Sequence, residues 1–153
     1  ETAALARHVG FEVEVVDDDA SFLSEERFPG CKRTLVSSFD DLGSMRANSA
    51  DCVCVLTRGH MHDPEGCVWA IAQGVRYVGM MGCKGKNGRV HDLCVEAGMT
   101  EEQWEAIKRP IGLKFGAKTP AELAISIVAE LVDVRYRQRY SQEAREKHDA
   151  SLW

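Results

Sequence analysis

The sequence predicts an α/β domain in which a parallel sheet is covered by helices on both of its faces. Short segments of strand character alternate along the chain with segments of helical periodicity, which is the pattern of β-α-β units. One predicted strand is almost entirely apolar, as expected where helices cover the sheet on both sides. A length of 153 residues fits one such domain.

Four segments are predicted to be strands. Residues 11–16 alternate between apolar and charged side chains and run into three aspartates, and residues 51–57 form the apolar run. Residues 33–36 follow a Pro-Gly turn, and residues 75–78 run into a glycine-rich segment. Because helices separate most of these segments, we expect the strands to be parallel.

The predicted helices carry signals at their ends. Residues 2–9 form a short helix that Gly10 closes in the C′ position. Asp63 is interpreted as the cap of the next helix, with Pro64 at its first position and Gly74 beyond its end. The remaining predicted helices cover residues 87–97, begin at the capping boxes of Thr100 and Thr119, and in the last case extend to Arg139.

The composition argues against several classes of function. The formal net charge of −5 is opposite in sign to that of a surface that coats nucleic acid. No apolar run approaches the roughly 20 residues of a membrane span, and no signal-peptide pattern opens the chain. The 6 cysteines include no C-x-x-C pair, which gives no support to a zinc ribbon or a thioredoxin-type site. Scattered reduced cysteines predict a soluble, cytoplasmic protein.

Four of the cysteines are interpreted as core residues. Cys52 and Cys54 alternate along a predicted strand, whereas Cys67 and Cys94 lie in predicted helices. Buried reduced thiols behave as small hydrophobic groups. Cys83 lies outside any core pattern, and the adjacent lysine and helix start would favour its thiolate. An ordinary loop cysteine is the alternative interpretation of Cys83.

Polar residues and glycines follow three predicted strands at their carboxyl ends. In open parallel sheets, ligands bind beyond these ends, so we expect the residues to line one crevice. They are, in order, Asp17 with Asp18 and Asp19, then Thr57, Arg58, Gly59 and His60, then Gly79, Met80, Met81, Gly82, Cys83 and Lys84.

Two of these segments resemble parts of nucleotide sites. In dinucleotide-binding folds, an acid placed like Asp17 accepts hydrogen bonds from ribose hydroxyls, and the alternative is a solvated turn. The loop from Gly79 to Lys86 combines glycines, two lysines and a helix start, which together favour a bound phosphate. A flexible loop with solvated lysines is the alternative. The glycine spacing is not that of a Walker A motif.

A histidine-rich segment also contains three residue types that bind metals. His60, His62 and Asp63 lie close in sequence, but without a distant further ligand they are a weak metal signal. A cap role for Asp63 and a crevice-lining role for His60 are preferred. We predict no metal site, and no catalytic residue is assigned because no nucleophile is paired with a base.

Three segments, in matching order, resemble the C-terminal Rossmann domain of the xanthine dehydrogenase accessory factor family (XdhC/CoxI). They cover residues 55–63, 77–82 and 110–130. Residues 15–18 and 27–29 fit the same pattern. Where the family usually has Ser before two basic residues, this chain has Cys83, and Arg109 replaces the usual His. The resemblance implies a Rossmann-like, three-layer domain.

The resemblance also implies a function: maturation of molybdenum hydroxylases of the xanthine dehydrogenase type by a cofactor chaperone that is not itself an enzyme. Its implied partners are the hydroxylase apoenzyme and a cofactor-sulfurating enzyme. The ligand of the crevice would be the molybdenum cofactor (molybdopterin) or NAD(P), held by Asp17, Thr57, Arg58, Gly59, His60, Gly79, Gly82, Cys83 and Lys84. An NAD(P)-dependent oxidoreductase and a non-catalytic interaction module are the alternatives, because a fold alone does not select a function.

The first strand of a Rossmann sheet and its glycine-rich turn have no counterpart in this sequence. That strand lies between the segments over residues 11–16 and 51–57 in the usual strand order. We therefore expect the gap to be filled by a preceding N-terminal segment or by a partner copy in a homo-oligomer. Residues 1–140 are assigned to the Rossmann-like domain, and residues 141–153 to a charged tail that frays.

Overall fold

A computed structural model describes residues 1–82, 85, 87–140 and 142–151 of the chain. By its internal contacts the chain divides into two compact units, residues 1–111 apart from Thr2, and residues 112–153 together with Thr2. The strands are β1 (Glu14–Asp17), β2 (Lys32–Leu35), β3 (Cys52–Val55) and β4 (Tyr77–Met80). The helices are α1 (Thr2–His8), α2 (Asp63–Ala72), α3 (Asn87–Glu96), α4 (Glu101–Ala106), α5 (Pro120–Arg139) and α6 (Gln142–Ser151), and short 3-10 turns lie at Ala20–Phe22 and Arg58–His60.

The strands form two parallel pairs, β1 with β2 and β3 with β4. Lys108 extends the second pair on the far side of β4, where its N–H donates to the Val78 carbonyl and its own carbonyl accepts from Met80, both at 2.9 Å. The spatial order is therefore β2-β1 in one pair and β3-β4-Lys108 in the other. Parallel strands joined by helices confirm the predicted α/β class.

No ladder joins β1 to β3 in the part of the chain that the structure describes. The carbonyls of Val13 and Asp17 accept hydrogen bonds from the β2 side, and those of Asp51 and Val55 accept from the β4 side. Because backbone groups alternate along a strand, the intervening residues of β1 and β3 direct theirs to the opposite edges. Direct pairing of β1 with β3 would have contradicted the expected intervening strand, and it is absent from the described residues.

All four strands differ by a few residues from their predicted bounds, and for β1 and β4 the structure shows the reason. β1 begins at Glu14 because Phe11 belongs to the end of α1: its N–H donates to the Ala6 carbonyl at 3.0 Å, and Gly10 has φ +83°. β4 lies two residues beyond the predicted segment and includes Gly79. A side chain there would lie 2.6 Å from Ile111 side-chain carbons, so this glycine serves close packing within the sheet.

The hydrophobic core of the first unit lies between β3, β4 and helices α2, α3 and α4. Cys67 and Cys94 are fully buried there, which confirms their interpretation as core residues, whereas Cys52 and Cys54 are half-buried. Burial raises the pKa of the Cys94 thiol to about 11, and burial raises the pKa of Cys67 still further. These thiols are held in their neutral form. Cys83 lies outside the described residues.

The helix ends confirm most of the local signals. Both capping boxes are formed, with the Thr100 hydroxyl accepting from Gln103 N–H and the Thr119 hydroxyl accepting from Glu122 N–H.

The charged tail contains helix α6. Among the described residues, the helices are all too short or too polar to cross a membrane.

A titratable contact joins α3 to α4. Nε2 of His91 lies 3.0 Å from the Glu101 carboxylate, and Nδ1 lies 3.1 Å from Asp92. The hydrogen bond to Glu101, followed by that to Asp92, raises the pKa of His91 above its usual range. At pH values below the pKa of an unfolded histidine, this contact makes its full contribution to the stability of the fold. That contribution is lost as the pH rises through the raised pKa of the folded state.

We expect an NMR titration of His91 to show this raised pKa directly. Replacing Glu101 with Gln should return the His91 pKa toward the usual histidine value, because the charged acceptor is removed. The same titration of His8, which is exposed, serves as the internal control. An unchanged His91 pKa in the Glu101→Gln variant would contradict the assignment.

Candidate functional site

Arg58 links the carboxyl end of β1 to that of β3. Its guanidinium lies 3.3 Å from Asp17 Oδ1 and 3.7 Å from Asp18 Oδ1, and it stacks over the Phe22 ring with 3.9 Å to the centroid. The Arg58 side chain is nevertheless 57% exposed. The structure thus brings together two predicted site residues, Asp17 and Arg58, and keeps the cation open to a ligand.

The three consecutive aspartates at the carboxyl end of β1 have different roles. Asp19 caps the 3-10 turn: its carboxylate accepts from the Ser21 hydroxyl at 2.7 Å and from the Ser21 N–H at 2.9 Å. The hydroxyl bond, then the backbone bond, lowers the pKa of Asp19. Asp17 and Asp18 instead face Arg58. Asp17 and Asp18 are therefore the two acids that contact Arg58, whereas Asp19 is held in the 3-10 turn.

His62 adds an aromatic ring beside the same acids. It stacks on Phe39 with 4.7 Å between ring centroids, and its Nε2 lies 3.9 Å from Asp18 Oδ2. That distance is too long for a hydrogen bond, so His62 attracts Asp18 only when the imidazole is protonated. Neither His62 nor Phe39 was among the predicted site residues.

Thr57 and His60 converge on the carboxylate of Asp63, which is fully buried. The Thr57 hydroxyl donates to Asp63 Oδ1 at 2.6 Å, and His60 Nδ1 lies 2.7 Å from Asp63 Oδ2. The same hydroxyl accepts from the His62 N–H at 3.3 Å. Both carboxylate oxygens of Asp63 are therefore used to hold the segment between β3 and α2.

The interpretation of Asp63 as a helix cap is wrong. The N-cap of α2 is His62, Asp63 is the first helical residue, and Pro64 is the second. At the first position the carboxylate still gains from the positive end of the helix dipole, but it folds back onto Thr57 and His60. The sequence does contain a signal for this contact, the i, i+3 spacing of His60 and Asp63. Interpreting Asp63 as a helix cap left that signal unused.

The backbone around His60 adopts a rare conformation. Gly59 has φ +64°, and His60 has φ +63°, a left-handed conformation that side-chain-bearing residues seldom occupy. Glycine accepts this geometry without cost, whereas histidine does not. This left-handed turn at Gly59 and His60 places the His60 ring beside the Asp63 carboxylate.

The third predicted segment is divided between the sheet and its end. Gly79 lies within β4, as described above, and Met80 is fully buried. Gly82 follows the strand with φ +59°, where a side chain would lie 3.3 Å from Asn87 Oδ1 at the start of α3. Cys83 and Lys84 lie outside the described residues, so their part in a phosphate site stays a prediction.

A shallow groove lies beside this strand end. It is lined by Asn87, Glu105, Ala106, Ile107, Lys108 and Arg109. The Arg109 guanidinium makes contacts within the protein: it donates hydrogen bonds to the carbonyls of Trp104 and Ile107 and forms an ion pair with Glu105. Within the described residues, no group of three or more histidine, cysteine or acidic side chains is placed to hold a metal ion.

Parallel strands joined by helices define an α/β domain of the Rossmann class. The chain belongs to a family of such domains: the XdhC Rossmann domain family matches residues 1–131. This match confirms the resemblance seen in the sequence.

Individual relatives agree with the family assignment. A Bacillus subtilis protein named as a probable xanthine dehydrogenase subunit is 28% identical over a 137-residue alignment, which covers 88% of this chain and 39% of that protein. An uncharacterised protein, YqeB of Escherichia coli, is 27% identical over 133 residues, or 87% of this chain and 25% of that protein. A crystal structure described as a xanthine dehydrogenase from Bacillus halodurans superposes with a TM-score of 0.75 and 26% identity, covering 90% of this chain and 41% of that one. This chain therefore spans well under half the length of each of these relatives.

Proposed function

We propose that this domain serves in the maturation of molybdenum hydroxylases of the xanthine dehydrogenase type, as a chaperone that binds the molybdenum cofactor or a nucleotide at the carboxyl ends of β1 and β3. The observation that carries the proposal is the match to the XdhC Rossmann domain over residues 1–131. The names of two relatives, one curated and one of known structure, connect such domains to xanthine dehydrogenase. The hydroxylase apoenzyme and a cofactor-sulfurating enzyme are the proposed partners.

The side chains at the crevice fit the polar parts of such a ligand. Asp17 and Asp18 present carboxylate oxygens, which accept hydrogen bonds from ribose hydroxyls or from the N–H groups of a pterin. Arg58 is more than half exposed and can pair with a phosphate, for which its planar fork is well suited. Thr57 and His60, on the segment that follows β3, are the further residues proposed for this site. Once delivered to a hydroxylase, the molybdenum cofactor supplies the redox chemistry.

A binding experiment separates the two cofactors. The chain would be heated with NAD, NADP or isolated molybdopterin, because a ligand that binds only the folded state raises the melting temperature. Stabilisation by molybdopterin supports the chaperone. Stabilisation by NAD or NADP alone would favour the oxidoreductase, for which the position of Asp17 at the end of β1 is the specific observation. An unchanged melting temperature with all three would contradict a ligand site and favour a non-catalytic interaction module.

Replacing Lys84 with Glu is expected to weaken binding of the phosphate-bearing ligand by about 1–3 kcal/mol, the usual worth of a hydrogen bond to a charged group. The expectation rests on the sequence, in which Lys84 follows Gly82 beyond the end of β4 and precedes α3. Titration calorimetry of the wild type and the variant measures the change. Lys114→Glu, which makes the same charge change outside the strand-end segments, is the control. Equal affinities of Lys84→Glu and wild type, with the fold intact, would remove Lys84 from the site.

A further inference from the structure

The His60 imidazole and the Asp63 carboxylate form a hydrogen-bonded pair with very different exposures. Asp63 is fully buried, while the His60 side chain is 20% exposed, and Nδ1 lies 2.7 Å from Oδ2. A carboxylate can only accept, so Nδ1 donates in this bond, and Nε2 is the acceptor nitrogen whenever the ring is neutral. The Thr57 hydroxyl, on the other oxygen, fixes the carboxylate in place.

The backbone gives a second, independent indication. His60 occupies the left-handed region at φ +63°, which is unfavourable for a residue with a side chain. Such strain persists where the surroundings over-determine a conformation, and it clusters at functional sites. A purely structural staple between β3 and α2 would not need a histidine in this conformation, since the Thr57 hydroxyl already connects the two elements.

We propose that His60 is a proton-transfer group for the ligand bound at the carboxyl ends of β1 and β3, with Asp63 as its positioning residue. In the step, Nε2 takes the proton of a ligand hydroxyl, and the electron pair of the broken O–H bond stays on the ligand oxygen. The positive imidazolium is balanced by the Asp63 carboxylate. The reverse step returns the proton.

The neighbouring charges favour a hydroxyl-bearing ligand. Asp17 and Asp18 offer hydrogen-bond acceptors for further hydroxyls, and Arg58, in the same 3-10 turn as His60, offers a positive charge to the developing oxyanion. His62 is the other titratable group here, and it lies beside Asp18. The ligand itself is taken from the proposed function, whereas the hydrogen bond between His60 and Asp63 does not depend on it.

The tautomer of wild-type His60 is the first test. Nitrogen-15 NMR of the imidazole rings distinguishes the Nδ1–H form from the Nε2–H form at a pH where the ring is neutral. We expect His60 to be protonated at Nδ1. A predominant Nε2–H tautomer would overturn the proposal, and the measurement needs no variant.

Acylation by diethyl pyrocarbonate, followed by mass spectrometry, is the second test. We expect His60 to react faster than His8 and His148, although both of those are more exposed. Asp63→Asn should slow acylation of His60 by about 10-fold and leave His8 and His148 unchanged, because the carboxylate no longer sets the tautomer. Asp92→Asn makes the same change at an exposed acid of α3 and should leave the His60 rate unchanged. A His60 rate below both references in the wild type would overturn the proposal.

Protection by ligands separates this proposal from the proposed function. NADP and molybdopterin would each be added before the acylation. Fast acylation of His60 that neither ligand slows supports the proton-transfer pair and contradicts the proposed ligand site. Ligand protection of a slowly reacting, Nε2-protonated His60 supports the ligand site and overturns the proton-transfer pair.

Discussion

Replacing Gly112 with alanine is expected to destabilise the chain by about 3 kcal/mol, from about 1–2 for the left-handed backbone and about 1–3 for overpacking. Gly112 has φ +96°, and its missing side chain leaves room for α5: a Cβ would lie 3.1 Å from the Ile127 nitrogen and would overlap the Ser126 hydroxyl. Backbone atoms of a helix cannot shift aside as a flexible side chain does. Urea unfolding of the wild type and the variant measures the loss.

Gly116 provides a matched control for this prediction. It has φ +79°, a similar left-handed conformation, but no atom lies within 4 Å of the position a Cβ would take. Gly116→Ala should therefore lose only the backbone part, about 1–2 kcal/mol. Equal losses at Gly112 and Gly116 would contradict the packing argument.

Further bonds explain why Gly112 must approach α5 so closely. Its N–H donates to Glu130 Oε2 at 2.6 Å, and the carboxylate of Glu130 is buried. Next to it, the Leu113 N–H donates to the Ser126 carbonyl at 3.1 Å, and the Ser126 hydroxyl donates to the Leu113 carbonyl at 2.7 Å. The glycine, the serine and the glutamate of the family-like segment over residues 110–130 are thus one structural unit that fixes a loop to a helix.

Features set by local chemistry were predicted well from the sequence. Gly10 ends α1 in the left-handed conformation, and Thr100 and Thr119 form capping boxes, because each signal acts within four residues of itself. The parallel pairing followed from the alternation of strands and helices. These signals need no knowledge of distant contacts.

Features set by distant contacts were not. Gly79 was interpreted as part of a phosphate loop, yet it lies in β4 and gives room to Ile111, 32 residues further along the chain. The pair formed by Arg58 and Asp17 joins residues 41 positions apart. A local pattern shows that such residues are polar or small, but only the fold shows what they face.

The largest effect on stability is expected at the edges of β1 and β3 that pair with neither β2 nor β4. β1 uses its other edge for β2, and β3 uses its other edge for β4, and all of these pairs run parallel. In the usual Rossmann order one parallel strand lies between these two, and α1 would then lead from that strand into β1 as the crossover helix of a β-α-β unit. We propose that a segment N-terminal to α1, in the same polypeptide or a swapped partner copy, supplies this strand together with the glycine-rich turn.

Filling this gap is expected to stabilise the domain by several kcal/mol, because each backbone group left without a partner in a covered sheet costs about 1–3 kcal/mol. The apolar side chain of Val16 is only half-buried on β1, as is that of Val53 on β3. An N-terminal extension of six β-branched residues followed by a glycine-rich turn would test the idea. A control extension with prolines at alternate positions cannot form the ladder.

Hydrogen exchange gives the decisive readout, because it reports each backbone amide separately. The amides of Glu14 and Val16 on β1, and of Cys52 on β3, alternate with those that face β2 and β4, so they lie on the facing edges. We expect them to exchange quickly in the unextended monomer, slowly with the strand-forming extension, and quickly again with the proline control. If a swapped copy supplies the strand, protection appears in the unextended chain only at concentrations where it dimerises. Slow exchange of these three amides in the unextended monomer would show that the edges are already paired and would contradict an intervening strand.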